Sequence, residues 1–143
     1  MKKSLISRKK INGFIFEFFR DIGVIDEKGY GQIIGRLKDL VIRGGENLYP
    51  REIEEVLVRQ PNIQEAYVVG VPDERFGEEL CAWIKLKENC QISVDDVKSA
   101  LKGQLAHFKI PKYIIFVDEF PTTVTGKVQK FKMRTESIER LGL

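Results

Sequence analysis

Apolar and polar residues alternate in the middle of the chain, and this pattern predicts its central strands. Every second residue from Leu80 to Leu86 is aliphatic, and the stretch from Ile63 to Val71 is a short apolar run with the core YVVGV. Successive side chains of a strand point to opposite faces of a sheet, and a short apolar run is typical of a buried strand. We therefore expect two strands here.

Three other stretches have the spacing of an amphipathic helix. The first opens at Pro50, and the side predicted to face water carries Glu52, Glu54, Glu55 and Arg59. Ser93 can cap the second, whose apolar face is predicted to run over four turns through Val94, Val97, Leu101, Leu105 and Phe108. The third closes the chain, and its residues predicted to point inward are Phe131, Ile138 and Leu141.

Shorter elements complete the pattern. The sequence DEKGYGQII at 26–34 offers a turn followed by a strand, and the apolar run at 40–42 can return antiparallel to it. A last strand is predicted at 113–117. This order predicts an α+β fold, a small domain with a β-hairpin and a short mixed sheet packed by about three helices.

Composition limits the class of protein. The 143 residues suffice for one domain, and 43% hydrophobic with 31% charged residues is typical of a soluble globular protein. The 24 basic and 21 acidic residues give a net charge of +3, which is too balanced to require a nucleic acid as partner. Basic residues do gather near the amino terminus and from Lys127 to Arg134, where they suit anionic small molecules.

The sequence lacks the motifs that several kinds of site require. Cys81 and Cys90 form no CxxC motif, and His107 is the only histidine, so neither a metal site nor a disulfide framework is expected. A GxSxG motif is missing, which disfavours a serine nucleophile. No run approaches the roughly eighteen apolar residues of a membrane span, so no transmembrane segment is expected.

Two glycine-containing segments are the candidate sites. Gly44 and Gly45 lie between an apolar run and the helix that Pro50 opens, where the chain must turn sharply and expose backbone. A purely structural turn explains this glycine pair equally well. Gly126-Lys127 resembles the end of a Walker A loop, but the glycine spacing is wrong and Val128 replaces Ser/Thr. What remains is a mobile glycine hinge that presents Lys127 to a phosphate or carboxylate, or else a surface lysine.

Five motifs follow one another in a fixed order: GY at 29–30, GRLKD at 35–39, RGGENLYP at 43–50, VGVPD at 69–73 and PTTVTGK at 121–127. Together they resemble the carboxy-terminal domain of AMP-forming acyl-CoA synthetases. The resemblance covers Asp21 to the end of the chain. The sequence from His107 to Pro121 is most similar to the medium-chain fatty acyl-CoA synthetases.

The resemblance implies a reaction in two steps. ATP and a fatty acid would first give an acyl-adenylate and pyrophosphate, and CoA would then attack the acyl carbon after this small domain has swung to a second orientation. Lys127 would be the catalytic lysine, which bridges the carboxylate and the α-phosphate. Asp21 and Arg36 would bind the nucleotide, and Lys38 would be the hinge.

The resemblance also implies a CoA site and a partner domain. Gly44 and Gly45 would border the pantetheine tunnel, while Arg75 and Phe76 would meet the adenine and phosphates of CoA. A large N-terminal domain would supply the phosphate loop, the acyl pocket and Mg²⁺, so the chain alone is expected to be inactive. The alternative is a non-catalytic module, truncated or regulatory, that docks on a full-length synthetase.

The resemblance ends abruptly at Asp21. Residues 1–20 form a basic, aromatic leader unlike the family, and the predicted domain covers 21–143. Phe19 and Arg20 stand where the family has Thr-Gly, and Lys130 stands where it commonly has arginine. The leader favours a solvated basic tail over a transit peptide, and the expected compartment is mitochondrial or cytoplasmic.

Overall fold

The structure, a computed structural model, describes residues 14–18 and 20–143. The strands in this part of the chain are β1 (Phe14–Phe18), β2 (Asp21–Ile25), β3 (Gly31–Arg36), β4 (Val41–Arg43), β5 (Glu46–Leu48), β6 (Ile63–Asp73), β7 (Gly77–Leu86) and β8 (Tyr113–Phe116). The helices are α1 (Pro50–Val58), α2 (Val94–Leu101) and α3 (Lys130–Leu141). Short 3-10 turns cover Leu37–Asp39 and His107–Lys109.

One mixed sheet with helices on both faces forms the centre of the fold. β6 pairs antiparallel with β7, and β7 pairs parallel with β8. The face covered by α1 and α2 buries Val68, Leu80, Ala82 and Ile84. The face covered by α3 buries Val69, Val71, Cys81 and Trp83. Successive side chains of β6 and β7 therefore point alternately into two hydrophobic cores, one on each face of the sheet. The predicted α+β class is confirmed.

The predicted pairing of the hairpin is wrong. β3 pairs with β2 in a sheet of order β1-β2-β3, whereas β4 pairs with β5. Gly44 and Gly45 form the two-residue loop between β4 and β5, with φ values of 55° and 84°. Two-residue hairpin loops favour positive φ at both positions, which glycine adopts without steric cost. The glycine pair thus has a structural role in the turn, and its place at a CoA tunnel stays a prediction.

The helix predicted over four turns is shorter than expected. α2 ends at Leu101, and Gly103 follows with a φ of 85°. A residue with positive φ cannot continue a right-handed helix, although the apolar spacing runs on to Leu105 and Phe108. Leu105 is buried, but Phe108 is 37% exposed and lies in the second 3-10 turn, so it is not a core residue.

The inner face of α3 also differs from the prediction. Phe131 is 67% exposed, whereas Met133 and Ser137 are fully buried. Ile138 and Leu141 pack against the second core, as predicted. The Ser137 hydroxyl accepts a hydrogen bond from Trp83 Nε1 at 2.8 Å and donates one to the Met133 carbonyl at 2.7 Å. A polar side chain on this face is therefore fully satisfied.

The domain boundary at Asp21 stays a prediction. β1 falls within the predicted leader and pairs with β2, while residues 1–13 and 19 of the leader lie outside the described residues.

Candidate functional site

A broad cleft of about 1150 Å³ lies between the β2-β3 sheet, α1, the edge of β6 and the start of α3. Four of the predicted site residues line it together: Asp21, Arg36, Lys38 and Lys127. Three of these are cationic, and the side chains of all four are open to solvent. The cleft can therefore receive an anionic ligand and meet it with several positive charges.

Asp21 and Arg36 occupy the first and last positions of paired strands. The register of β2 and β3 places them directly opposite one another, and Arg36 Nε lies 3.9 Å from Asp21 Oδ1. Lys38 follows in the 3-10 turn, which is fixed to the residue before β2 by a 2.8 Å hydrogen bond from Leu37 N–H to the Arg20 carbonyl. The sheet thus sets the spacing of the residues predicted to bind the nucleotide and to act as the hinge.

The threonine-rich loop that carries Lys127 is closed by its own hydrogen bonds. Thr123 N–H donates to the Lys127 carbonyl at 2.8 Å, and Lys127 N–H donates to Thr123 Oγ1 at 3.1 Å. Gly126, with a φ of 85°, donates to the Thr123 carbonyl at 2.9 Å. The loop is thus a small hairpin that presents Lys127, and the mobility predicted for its glycine stays a prediction. Within the described part of the chain the Lys127 ammonium forms neither an ion pair nor a hydrogen bond, so it is available to a ligand.

A third lysine, Lys130, lines this cleft beside Lys38 and Lys127, and the sequence did not predict its partner. Lys130 Nζ lies 2.5 Å from Glu54 Oε1, and the same carboxylate oxygen accepts the Val68 N–H at 2.9 Å. Glu54 was predicted to face water, but its side chain is only 16% exposed. Helical periodicity places Glu54 at the boundary of the apolar face of α1. Periodicity within one helix cannot predict that its partner is Lys130 on α3.

The free edge of β6 forms one wall of the cleft. Arg134 Nη1 donates to the Gly70 carbonyl at 2.7 Å and to Glu78 Oε1 at 2.9 Å. A Cβ at Gly70 would lie 2.9 Å from that Glu78 oxygen and 3.1 Å from Val41, so the position has no room for a side chain. Tyr67 also lines this wall, and burial, followed by the charges of Glu65 and Glu54, raises the pKa of its phenol. The wall therefore presents a neutral phenol.

The four residues predicted to bind CoA form a separate group that does not line this cleft. Gly44 N–H donates to the Phe76 carbonyl at 2.8 Å, and a Cβ at Gly44 would lie 3.1 Å from Phe76 Cδ1. The guanidinium of Arg75 lies 4.9 Å from the centre of the Phe76 ring, and that of Arg43 lies 3.8 Å from it. Gly45 borders open space. An aromatic ring with two guanidinium groups nearby suits a ligand with both a planar ring and phosphates.

Asp73 fixes the turn that carries Phe76. Its carboxylate accepts the N–H groups of Arg75 at 2.9 Å and Phe76 at 2.8 Å, and it pairs with Lys112 Nζ at 3.1 Å. The hydrogen bond from Phe76, followed by that from Lys112, lowers the pKa of Asp73. The same pairing with Asp73 raises the pKa of Lys112. The turn is therefore held by an ionised aspartate at neutral pH.

Two kinds of feature are missing from residues 14–18 and 20–143. No three His, Cys, Asp or Glu side chains in these ranges come together in a group that could hold a metal ion. No helix within them is both long and apolar enough to span a bilayer. Cys81 and Cys90 are free thiols, and burial raises the pKa of Cys81.

The sequence profile described as "AMP-binding enzyme C-terminal domain" matches residues 52–127, and its last matched residue is Lys127. This chain belongs to the family of AMP-binding enzyme C-terminal domains. Bacillus subtilis YngI, a protein named as an acyl-CoA synthetase, is 53% identical over 96% of the chain. The zebrafish medium-chain acyl-CoA ligase ACSF2, named as mitochondrial, is 54% identical over 86% of it.

The fold of this AMP-binding enzyme C-terminal domain agrees with a solved relative. The crystal structure of ATP-bound MatB from Rhodopseudomonas palustris is 45% identical and superimposes with a TM-score of 0.77 over 85% of the chain. The domain spans only 25% of YngI, 20% of zebrafish ACSF2 and 24% of MatB. The activities in the names of these relatives therefore belong to proteins much longer than this chain.

Proposed function

We propose that this domain is the mobile C-terminal domain of an ATP-dependent fatty acid–CoA ligase. It would take part first in adenylation of the carboxylate and then in thioester formation with CoA. A large N-terminal domain would complete the site and hold Mg²⁺, as the resemblance to acyl-CoA synthetases implies. The domain alone is expected to be inactive.

The observation that carries the proposal is the availability of the Lys127 ammonium in the same cleft as Asp21 and Arg36. Adenylation joins two anions, because a carboxylate attacks the α-phosphate of ATP and pyrophosphate leaves. A fixed cation between them lowers their repulsion and stabilises the charge that develops in the transition state. Arg36 would meet the phosphate and ribose, and Asp21 would accept hydrogen bonds from the ribose hydroxyls.

The group around Phe76 supports the second half-reaction. CoA carries an adenine ring and phosphates at one end, and the ring of Phe76 with Arg75 beside it offers stacking and positive charge. Gly44 and Gly45 would let the pantetheine arm pass close to the backbone. Because this group does not line the Lys127 cleft, a rotation of the domain between the two half-reactions would present each group in turn. Lys38, exposed in a short turn, is the proposed pivot.

Reconstitution tests the proposed function. The domain is mixed with the separately produced large domain of YngI, a panel of fatty acids, ATP and CoA, and acyl-CoA is measured. A chimera in which residues 21–143 replace the corresponding part of YngI provides the same test without depending on association. We expect acyl-CoA from the chimera and none from the domain alone. A folded chimera that makes no acyl-CoA would favour the non-catalytic docking module.

The compartment stays a prediction. The leader composition is compatible with mitochondrial or cytoplasmic location, and the relatives named above include a mitochondrial and a bacterial protein.

A further inference from the structure

Glu54 lies where α1, the free edge of β6 and the first residue of α3 meet. Its Oε1 atom accepts the Val68 N–H at 2.9 Å and the Lys130 ammonium at 2.5 Å. The side chains of Glu54 and Lys130 are 16% and 21% exposed, so solvent screens their attraction only in part. A charge-assisted hydrogen bond in such a setting is stronger than one between exposed groups.

This ion pair is close in sequence to the Lys127 loop. Thr122 and Val128 form a bridge at the base of the loop, and Gln129 N–H donates to the Pro121 carbonyl at 2.8 Å. Lys130 follows directly and begins α3. The pair therefore ties the end of the loop to α1 and to the central sheet.

The pair also gives Lys130 and Lys127, two of the three lysines that line the cleft, different charge environments. Glu54 neutralises Lys130, whereas Lys127 has no acidic partner among the described residues. Without Glu54, Lys130 would be a further unpaired cation close to Lys127, and it could bind the same anion in an unproductive position. Both effects of Glu54, on geometry and on charge, favour an anion placed at Lys127.

We propose that Glu54 and Lys130 are positioning residues for Lys127, an inference that rests on the proposed function. They fix the direction in which the loop enters the cleft, and they keep Lys130 from competing with Lys127 for the reacting carboxylate and phosphate. Neither residue needs to touch the substrate for this role.

Three variants separate charge from packing. Glu54→Gln keeps an oxygen acceptor for the Val68 N–H but removes the ion pair, and Lys130→Met removes the ammonium. Lys130→Arg retains the positive charge and a donor, so it should restore the effect. The matched control is Glu52→Gln, because Glu52 lies on the same helix and pairs with Lys109 at 2.9 Å, and neither of those residues lines the cleft.

Hydrogen exchange of the complete chain, followed by NMR, gives a readout that needs no activity. The amides of Thr123, Gly126 and Lys127 are hydrogen-bonded within the loop and report its opening. We expect Glu54→Gln and Lys130→Met to speed their exchange about tenfold, the effect of losing roughly one charge-assisted hydrogen bond. Lys130→Arg and Glu52→Gln should leave it unchanged. Equal exchange in all four variants would overturn the proposal.

The chimera gives the second readout. Glu54→Gln should lower kcat for adenylation about tenfold, as expected for a misplaced catalytic group, and should leave thioester formation from supplied acyl-adenylate unchanged. Equal loss in both half-reactions, or the same loss in Glu52→Gln, would contradict a positioning role. A parent chimera without activity would refute the proposed function, and the exchange measurement would still decide whether the pair fixes the loop.

Discussion

Asp21 and Arg36 face one another across β2 and β3, with Arg36 Nε 3.9 Å from Asp21 Oδ1. Their side chains are 47% and 61% exposed, and ion pairs between such exposed groups contribute little to stability. The pair therefore adds little to the stability of the sheet, and its proposed role is in nucleotide binding. Substitution of either residue should consequently affect binding and leave the fold intact.

Arg36→Ala should raise the KM for ATP in the chimera about tenfold, because a charged hydrogen-bond donor to the nucleotide is lost. Asp21→Ala should also raise the KM for ATP, because the ribose hydroxyls would lose a hydrogen-bond acceptor. Arg59→Ala is the control, since Arg59 is an exposed arginine outside the cleft. Pyrophosphate release at varied ATP concentration measures the effect, and an unchanged KM in both variants would contradict the nucleotide assignment.

Gly45→Leu should spare adenylation and block thioester formation, because its side chain would enter the space proposed for pantetheine. Gly45 has a φ of 84° and open space around it, so the substitution introduces backbone strain without a clash. Gly29→Leu is the matched control for strain, with a φ of 86° and open space outside the cleft. Equal loss of both half-reactions in Gly45→Leu would contradict the tunnel assignment.

The turn that carries Phe76 should weaken in acid. Hydrogen bonds from Phe76 and Lys112 lower the folded-state pKa of Asp73, so its contribution to stability is complete above the unfolded-state pKa and is lost as pH falls through the folded-state value. Urea unfolding at about pH 6 and about pH 3 gives the free energy of unfolding at each pH. Between these two values it should decrease less for Asp73→Asn than for the unmodified protein. Asp118→Asn, at an exposed carboxylate, serves as control. Equal decreases would contradict this assignment.

Ser137→Ala should destabilise the domain by about 1–3 kcal/mol, because the buried Trp83 N–H loses its acceptor. Thr135→Ala is a close control, since Thr135 also bonds the carbonyl four residues earlier but is exposed. Urea unfolding of both variants gives the comparison. An effect of Ser137→Ala no larger than that of Thr135→Ala would show that this hydrogen bond contributes little.

The central strands could be predicted because both of their faces are buried. Trp83 and Ile84 are each at most 1% exposed, so β7 is apolar on both sides and its pattern is unambiguous. The end of α2 could not be predicted from the spacing of apolar residues, because Leu105 and Phe108 continue that spacing beyond the turn at Gly103. The pairing of β4 with β5 depends on the positive φ values of Gly44 and Gly45. It was not predicted, because the same glycine pair was interpreted as a ligand site.

The candidate site was predictable only in part. The resemblance supplied Asp21, Arg36, Lys38 and Lys127, and the structure places all four at one cleft. The Glu54–Lys130 pair could not be predicted, because its members are far apart in the chain and each has the pattern of a surface residue. Long-range ion pairs depend on how helices pack, which local periodicity does not encode.

The most direct test of the account compares the two half-reactions in a chimera that carries Lys127→Met. The control is Lys132→Met, because Lys132 is an exposed lysine outside the cleft. Pyrophosphate release measures adenylation, and acyl-CoA formation from supplied acyl-adenylate measures the second step. We predict that Lys127→Met lowers the rate of adenylation about a hundredfold or more and leaves the second step within the range of the control. Adenylation at the control rate would contradict the catalytic role of Lys127.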